Sequence, residues 1–149
     1  MDKKNSRKIE LRIVGIDASQ FQIKDIGEVL EQDIYISNEF GFGIDNNHAM
    51  IACKYRFQMS YKKKSFASIE VMCLFQIKKT TLKKFKIPYQ KKYSFPFIFI
   101  KDMTEMTIST TRGILFEKMT NSPYQKFILP LIDLKNIFDE ENIEIEYEY

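Results

Sequence analysis

Few residues of this sequence belong to the types that build catalytic or metal sites. The chain of 149 residues has one histidine and two cysteines. A zinc site or a catalytic triad needs several such groups at one point, and no cysteine or carboxylate has ligand spacing to His48. Gly41-Phe42-Gly43 is too short for a phosphate-binding loop. We therefore interpret His48 as a structural or exposed residue and expect no enzyme activity, no metal and no cofactor.

Long apolar runs and a signal peptide are absent as well. No stretch is long enough to cross a bilayer, and the first ten residues lack the apolar centre of a signal peptide. Two cysteines without framework spacing fit a reducing compartment. These absences predict a cytoplasmic protein without membrane insertion.

Apolar and aromatic residues, by contrast, are plentiful. They make up 44% and 14% of the chain, which argues against general disorder and supplies a core for one domain. We expect a single domain over residues 1–149, with residues 1–8 and 142–149 as candidate flexible tails. The last seven residues alternate Ile or Tyr with Glu, so an edge strand is the other interpretation of that tail.

The clearest pattern is an alternation with period two over residues 50–77, which predicts a β-hairpin. Its apolar side chains occupy odd positions in both strands: Ile51, Cys53, Tyr55, Phe57, Met59 and Tyr61, then Ile69, Val71, Cys73, Phe75 and Ile77. Since both sets are odd, the turn needs an odd number of residues, and we expect three or five around Lys63. This register places Cys53 directly opposite Cys73.

Two further strands are predicted upstream of the hairpin. Residues 7–18 alternate, the pattern resumes at Phe21 and Ile23 after a polar break, and residues 33–44 form the second strand. Paired in chain order with the hairpin, these strands give a four-stranded antiparallel meander.

Helix signals follow the sheet. Asp102 and Glu105 resemble a capping box and Gly113 suits the residue after a helix, so we predict a helix between them. Asp133 is a candidate N-cap for a second helix over residues 134–141. The predicted fold class is therefore α+β, a four-stranded antiparallel meander sheet followed by two helices.

Lysines collect in short clusters, and residues 78–94 form a basic, irregular linker. One interpretation is a surface for single-stranded nucleic acid, on which bases stack on interleaved rings and lysines follow phosphates. The rings are Tyr55, Phe57, Tyr61, Phe66 and Phe85. Because no recognition motif accompanies the charge, we favour lysines that keep the protein soluble and its strand edges unpaired. Nucleic acid is accordingly not an expected partner.

The chain has more large apolar residues than one face of a small sheet packed on two short helices needs. The surplus includes Phe40, Phe42, Met72, Leu74, Phe97 and Phe99. Three interpretations stay open: an extended core, an interface in an oligomeric adaptor or structural subunit, or an adaptable groove for other polypeptides. Met72 and Leu74 lie on the even face of the hairpin, so that face also needs cover.

Several short motifs together point to one family by their order. They are the hairpin over residues 50–77, Phe95-Pro96-Phe97, Arg112-Gly113, and Leu129-Pro130-Leu131 leading into Asp133. In this order the chain resembles the SecB-type export chaperone family over residues 9–138. It departs from the family at Ile98 and Phe99, where relatives carry a small and a basic residue, and in a longer link over residues 113–128.

The resemblance implies a SecB-like fold and a cytosolic holdase that binds unfolded client polypeptides in hydrophobic grooves, without nucleotide or metal. The candidate groove residues are Phe40, Phe42, Met72, Leu74, Phe97 and Phe99. The resemblance also implies a homo-oligomer, a dimer of dimers. Relatives that serve protein export dock on the SecA motor through an acidic sheet face, and others guard an antitoxin. Here that face offers Lys54, Arg56 and Glu70, so SecA is not an expected partner.

Overall fold

The computed structural model describes residues 10–138 and 140–147. A four-stranded antiparallel sheet is its main element, followed by the helix-containing part of the chain. The strands are β1 (Arg12–Ile23), β2 (Ile34–Asp45), β3 (Met50–Tyr61) and β4 (Lys64–Gln76). The predicted α+β class and the four-stranded antiparallel sheet are confirmed.

The strand order is β1-β4-β3-β2. Only β2, β3 and β4 therefore follow the predicted meander, because β1 pairs with β4 rather than with β2. This order places the two most apolar strands inside the sheet and leaves the more polar β1 and β2 as its edges. The link from β1 to β2 crosses the end of the sheet through Gly27, whose φ of 90° suits glycine.

The odd face of the central hairpin is the buried face, as predicted. Cys53 lies directly opposite Cys73, which confirms the predicted register. The predicted turn length is wrong, since the strands are joined by two residues, Lys62 and Lys63, with φ of 49° and 66°. Positive φ at both positions is typical of a type I′ turn. A register shift next to Met59 restores the odd face on both strands after this turn.

The long helix is α2 (Phe97–Met119), and it extends beyond the predicted helix at both ends. It starts directly after Pro96 rather than at the capping-box pair, because Phe99 and Ile100 become buried when they are helical. It also continues through Gly113, where a Cβ would meet no atom within 4 Å. Burial of apolar residues on both sides of that glycine outweighs its low helix propensity.

Threonines are unusually common on the buried face of α2. Thr104, Thr107 and Thr111 are fully buried, although threonine is a weak helix former. Each hydroxyl donates to the carbonyl four residues earlier, at distances of 2.7, 2.9 and 2.7 Å respectively. The hydroxyls are thus satisfied inside the helix, and their small side chains allow α2 to pack closely on β3 and β4.

Residues 78–94, predicted as an irregular linker, contain regular structure. They include the short helix α1 (Lys79–Lys83) and the start of β5 (Lys92–Pro96). Strand β5 pairs with β6 (Asn142–Glu146) in a second, two-stranded sheet. The C-terminal segment forms a strand through residue 146, in agreement with the edge-strand interpretation, while residues 1–8 and 148–149 lie outside the described part.

The second predicted helix is wrong. Asp133 does act as an N-cap, since its carboxylate accepts a hydrogen bond from the amide N–H of Lys135 at 3.0 Å. However, only a short 3-10 turn, Leu134–Asn136, forms where a helix over residues 134–141 was predicted. The last three positions of the predicted helix, residues 139–141, are acidic, and negative charge at a helix C-terminus opposes the helix dipole. The early end also lets Phe138 pack on Phe40 and Phe42.

Candidate functional site

The helix-side face of β1 carries exposed apolar side chains at one edge of the main sheet. Its residues pair with core positions of β4: Ile13 lies opposite Phe75, and Ile16 lies opposite Cys73. Because α2 packs mainly over β3 and β4, it leaves much of this outer strand exposed, although the Lys118 Nζ of α2 lies 5.6 Å from the Phe21 ring centroid. Ile16 is 53% exposed as a result. We call Ile13, Ile16, Phe21 and Ile23 the β1 strip.

A cleft of about 1600 Å³ separates one end of the β1 strip from the first half of α2. Its apolar wall residues are Leu11, Ile13, Ile77, Ile98, Phe99 and Met106. Its rim carries both signs of charge, from Glu10, Arg12, Lys78, Lys79, Asp102 and Glu105. The cleft therefore has an apolar floor without a bias toward ligands of one charge.

The part of α2 that lines the cleft is exposed to solvent at its first turn. Ile98 is 68% exposed at the first turn of α2. Lys101 pairs with Glu105 at 3.9 Å along the exposed side of the helix. Met106 of α2 also lines the cleft, and its unbranched side chain can adjust to different neighbours.

The six groove residues predicted from the sequence do not share one groove. Met72 and Leu74 lie opposite Lys54 and Ala52 on the face of the sheet away from α2, where they are half-exposed. The sequence predicted that another element covers this even face. Gly15 of β1 approaches Leu74 there, and a Cβ on that glycine would lie 3.6 Å from the Leu74 Cβ.

Phe40, Phe42 and Phe97 come together at the other edge of the sheet, around Phe138. The ring centroids of Phe40 and Phe42 lie 5.8 and 6.0 Å from that of Phe138. Phe97 and Phe138 line a second depression of about 450 Å³. These rings are half-buried, so they extend the core while leaving part of their surface accessible.

Phe99 is the one predicted groove residue that lines the large cleft. It is nevertheless buried, with its ring centroid 5.1 Å from that of Phe95 and 5.8 Å from that of Phe85. It therefore supports the wall of the cleft and exposes little surface of its own. Peptide binding by the six residues remains a prediction.

His48 lies at the mouth of the cleft and is exposed. Its Nδ1 lies 2.8 Å from the Asp45 carboxylate, which also accepts from the amide N–H groups of Asn47 and His48. These hydrogen bonds, first that of the His48 side chain, lower the pKa of Asp45. Within the described residues, no three His, Cys, Asp or Glu side chains are grouped to hold a metal ion.

The two cysteines are free and buried against the threonine face of α2. Burial raises the pKa of the Cys53 thiol to about 11, which the hydroxyls of Thr107 and Thr104 offset only in part. Burial also raises the pKa of Cys73. Since the thiolate is the reactive form, both residues act as small core side chains.

The even face of the sheet is mixed in charge. Arg56 lies opposite Glu39 on one side and Glu70 on the other, with Lys54 nearby. Acidic and basic groups thus alternate across the strands, and the face is not an acidic patch.

Sequence reasoning did not single out the β1 strip, Ile98 or Met106 as one surface. The alternation of β1 was visible, but its exposure follows from pairing with β4 at the edge, beyond the reach of α2. The polar opposite face of β1 does not mark it as an edge strand, since the central strand β3 also carries Lys54, Arg56 and Gln58 on that face.

Helix α2 has 23 residues but includes six charged side chains, and among the helices described none could span a bilayer. No protein-family model, curated protein or solved structure matches the chain.

Proposed function

We propose that this protein is a SecB-like holdase that binds unfolded polypeptides in the cleft between β1 and α2 and along the β1 strip. The observation that carries the proposal is an apolar cleft that continues into exposed isoleucines. Large exposed apolar surfaces on soluble domains typically mark sites for other polypeptides.

The size and shape of the cleft favour a polymer over a small molecule. Pockets for small ligands usually enclose about 300–1000 Å³, whereas this cleft has about 1600 Å³. An extended client could place successive apolar side chains against Ile98, Met106 and Ile13. Each aliphatic side chain that becomes fully buried contributes about 1.5–3 kcal/mol, less the cost of ordering the client.

The edge position of β1 adds a second contribution. Within the described residues its outer edge has no neighbouring strand, so backbone groups there can bond an extended client without regard to sequence. Register shifts after Ile13 and Asp17 interrupt a regular edge. Such irregularities disfavour continuous sheet growth between copies while short client contacts stay available.

Two motifs of the family resemblance contact each other, which supports the proposal. The Arg112 guanidinium donates to the carbonyl oxygens of Leu129 and Pro130 at 3.2 and 3.3 Å. The Arg-Gly and Leu-Pro segments thus form one structural unit at the second half of α2.

The proposed assembly is a homo-oligomer in the cytoplasm, as the resemblance implies. Exposed apolar residues after α2, Ile128 and Leu131, offer surface for contacts between copies. Unfolded chains are the proposed partners, for export or for a dedicated client such as an antitoxin. The mixed charge of the even face gives no basis for SecA docking.

The proposal is tested by suppression of aggregation of a reduced, unfolded reporter protein. We expect Ile16→Ser and Ile98→Ser each to raise the concentration needed for half-suppression several-fold, because both side chains are exposed and apolar. Tyr35→Ser is the matched control, since Tyr35 is 71% exposed but its strand neighbour is Ser60 on the even face. Equal aggregation with and without the wild-type protein would refute the proposal.

A further inference from the structure

Residues 78–92 form a strongly basic part of the chain. They include seven lysines and no acidic residue, whereas the whole chain has a net charge of only +3. The rest of the protein is therefore net negative. The positive charge is concentrated in residues 78–92, which include α1 and which we call the basic arm. The sequence alone favoured solubility as the reason, but the structure shows how this charge is presented.

Backbone hydrogen bonds and the Phe85 ring anchor the arm to the core. Lys86 forms a β-bridge with Tyr93, and the amide N–H of Ser94 donates to the carbonyl of Phe85 at 2.8 Å. The Phe85 ring packs on Phe95 and Phe99, with centroids 5.2 and 5.8 Å away. The lysines thus project from a segment with regular structure and core contacts.

Tyr89 projects from the tip of this arm and is fully exposed. It follows Pro88 in a turn closed by the Gln90 amide N–H donating to the Ile87 carbonyl at 3.3 Å. Its φ of 64° is unfavourable for a tyrosine. An aromatic ring held in water by a strained backbone contributes nothing to the core, and both of its faces are available for stacking.

Some lysines around Tyr89 already have partners, whereas others remain open to a ligand. Lys92 pairs with Glu146 at 3.7 Å, and the Lys86 Nζ donates to the Gln90 carbonyl at 3.4 Å. Lys83 and Lys84 are exposed and have no ion-pair partner within residues 10–138 and 140–147. Positive charge therefore lies on both sides of the exposed ring along the chain.

We propose that this basic arm, residues 78–92, binds single-stranded nucleic acid. Lysines would contact successive phosphates while a base stacks on Tyr89, a combination that tolerates any sequence. The carboxylates of an acidic polypeptide would bind the lysines but have no aromatic face to stack on Tyr89. The exposed ring therefore favours nucleic acid over an acidic polypeptide as the ligand. This site is separate from the proposed client cleft, although Lys78 and Lys79 also contribute to the rim of that cleft.

The test is fluorescence anisotropy of a labelled twelve-nucleotide oligothymidine over a range of salt concentrations. Affinity should fall linearly with salt on logarithmic axes, and replacing Lys83, Lys84 and Lys86 with Gln should reduce that slope by about 2. Tyr89→Ala should weaken binding about tenfold. Both variants keep Phe85 and β5, and a thermal melt confirms that they fold.

The matched control replaces Lys62, Lys63 and Lys64 with Gln. It removes the same charge at the opposite end of β4, a strand roughly 40 Å long at about 3.3 Å per residue, and we expect little change in binding. Equal losses in this control, or no effect of Tyr89→Ala, would overturn the proposal. So would tighter binding of a labelled Glu-rich peptide of the same length, which would identify the arm as a site for acidic polypeptides.

Discussion

A single hydroxyl fixes the connection between β1 and β2. The Tyr124 Oη accepts from the amide N–H of Ile26 and donates to the carbonyl of Gly27, both at 2.9 Å. The Tyr124 ring packs on Phe66, with centroids 4.7 Å apart. Tyr124, nearly 100 positions later in the chain, therefore holds the connection from β1 to β2 in place across the end of the sheet.

Tyr124→Phe should retain the ring packing and remove both hydrogen bonds. We expect the free energy of unfolding to fall by about 1–2 kcal/mol, because a part-buried N–H loses its partner. Urea denaturation measures the change, and Tyr89→Phe is the control because its hydroxyl is exposed. An unchanged midpoint for Tyr124→Phe would show that water replaces the hydroxyl.

The buried thiols should be unreactive in the native protein. With the pKa of Cys53 raised to about 11, the thiolate is scarce at pH 8, and burial blocks the reagent as well. We expect Ellman's reagent to modify Cys53 and Cys73 only at the rate of unfolding, and rapidly in urea. Fast reaction of either thiol in buffer would contradict the packing of α2 on β3 and β4.

The raised pKa of Cys53 makes the free energy of unfolding depend on pH. The folded thiol has a higher pKa than an unfolded thiol near 8.5, so its contribution is complete below about pH 8.5 and is lost as pH rises toward 11. Cys53→Ala should therefore lose less stability than the wild type between pH 8 and pH 10.

At the scale of elements, α2 contains a substitution that should stabilise the protein. Gly113 is exposed inside the helix, and a Cβ there meets no atom within 4 Å. Gly113→Ala should raise the free energy of unfolding by about 1 kcal/mol, or the melting temperature by about 3 °C.

Gly27→Ala provides the opposite case for the same substitution. Its Cβ would also meet no atom, but its φ of 90° disfavours alanine, so we expect a lower melting temperature. If both variants shifted in the same direction, the local backbone of one of the two sites would be different from that described.

The elements also show what the sequence could and could not predict. Alternation predicted the buried face of the hairpin and the pairing of Cys53 with Cys73, because a period of two is a local property. The two-residue turn was missed because a bulge next to Met59 changes the parity, and no residue type marks that bulge. The start of α2 was missed because Asp102 resembled a cap, whereas tertiary burial of Phe99 determined the helix boundary.

For the candidate site, the sequence identified apolar surplus but not its location. Phe40 and Phe42 belonged to that surplus, and in the structure they are half-buried and packed against Phe138. The exposure of Ile16 depends on strand order and on the width of one helix, which are global properties. No local pattern distinguishes such a residue from a buried one.

At the scale of the whole molecule, one helix covers only the two central strands of a four-stranded sheet. This mismatch leaves the β1 strip and the cleft open on one side, while Phe138 and β6 cover part of the other edge. A second basic and aromatic surface lies on the arm before α2. The fold thus presents an apolar and a cationic surface on separate elements.

The central claim is that unfolded polypeptides bind beside α2 and along β1. The most direct measurement places photoreactive p-benzoylphenylalanine at position 16 or, as control, at position 35, and irradiates each protein with an unfolded, reduced client. We predict a crosslinked client at position 16, none at position 35, and loss of the crosslink when excess unlabelled client competes. No crosslink at position 16, or equal crosslinking at both positions, would contradict the claim.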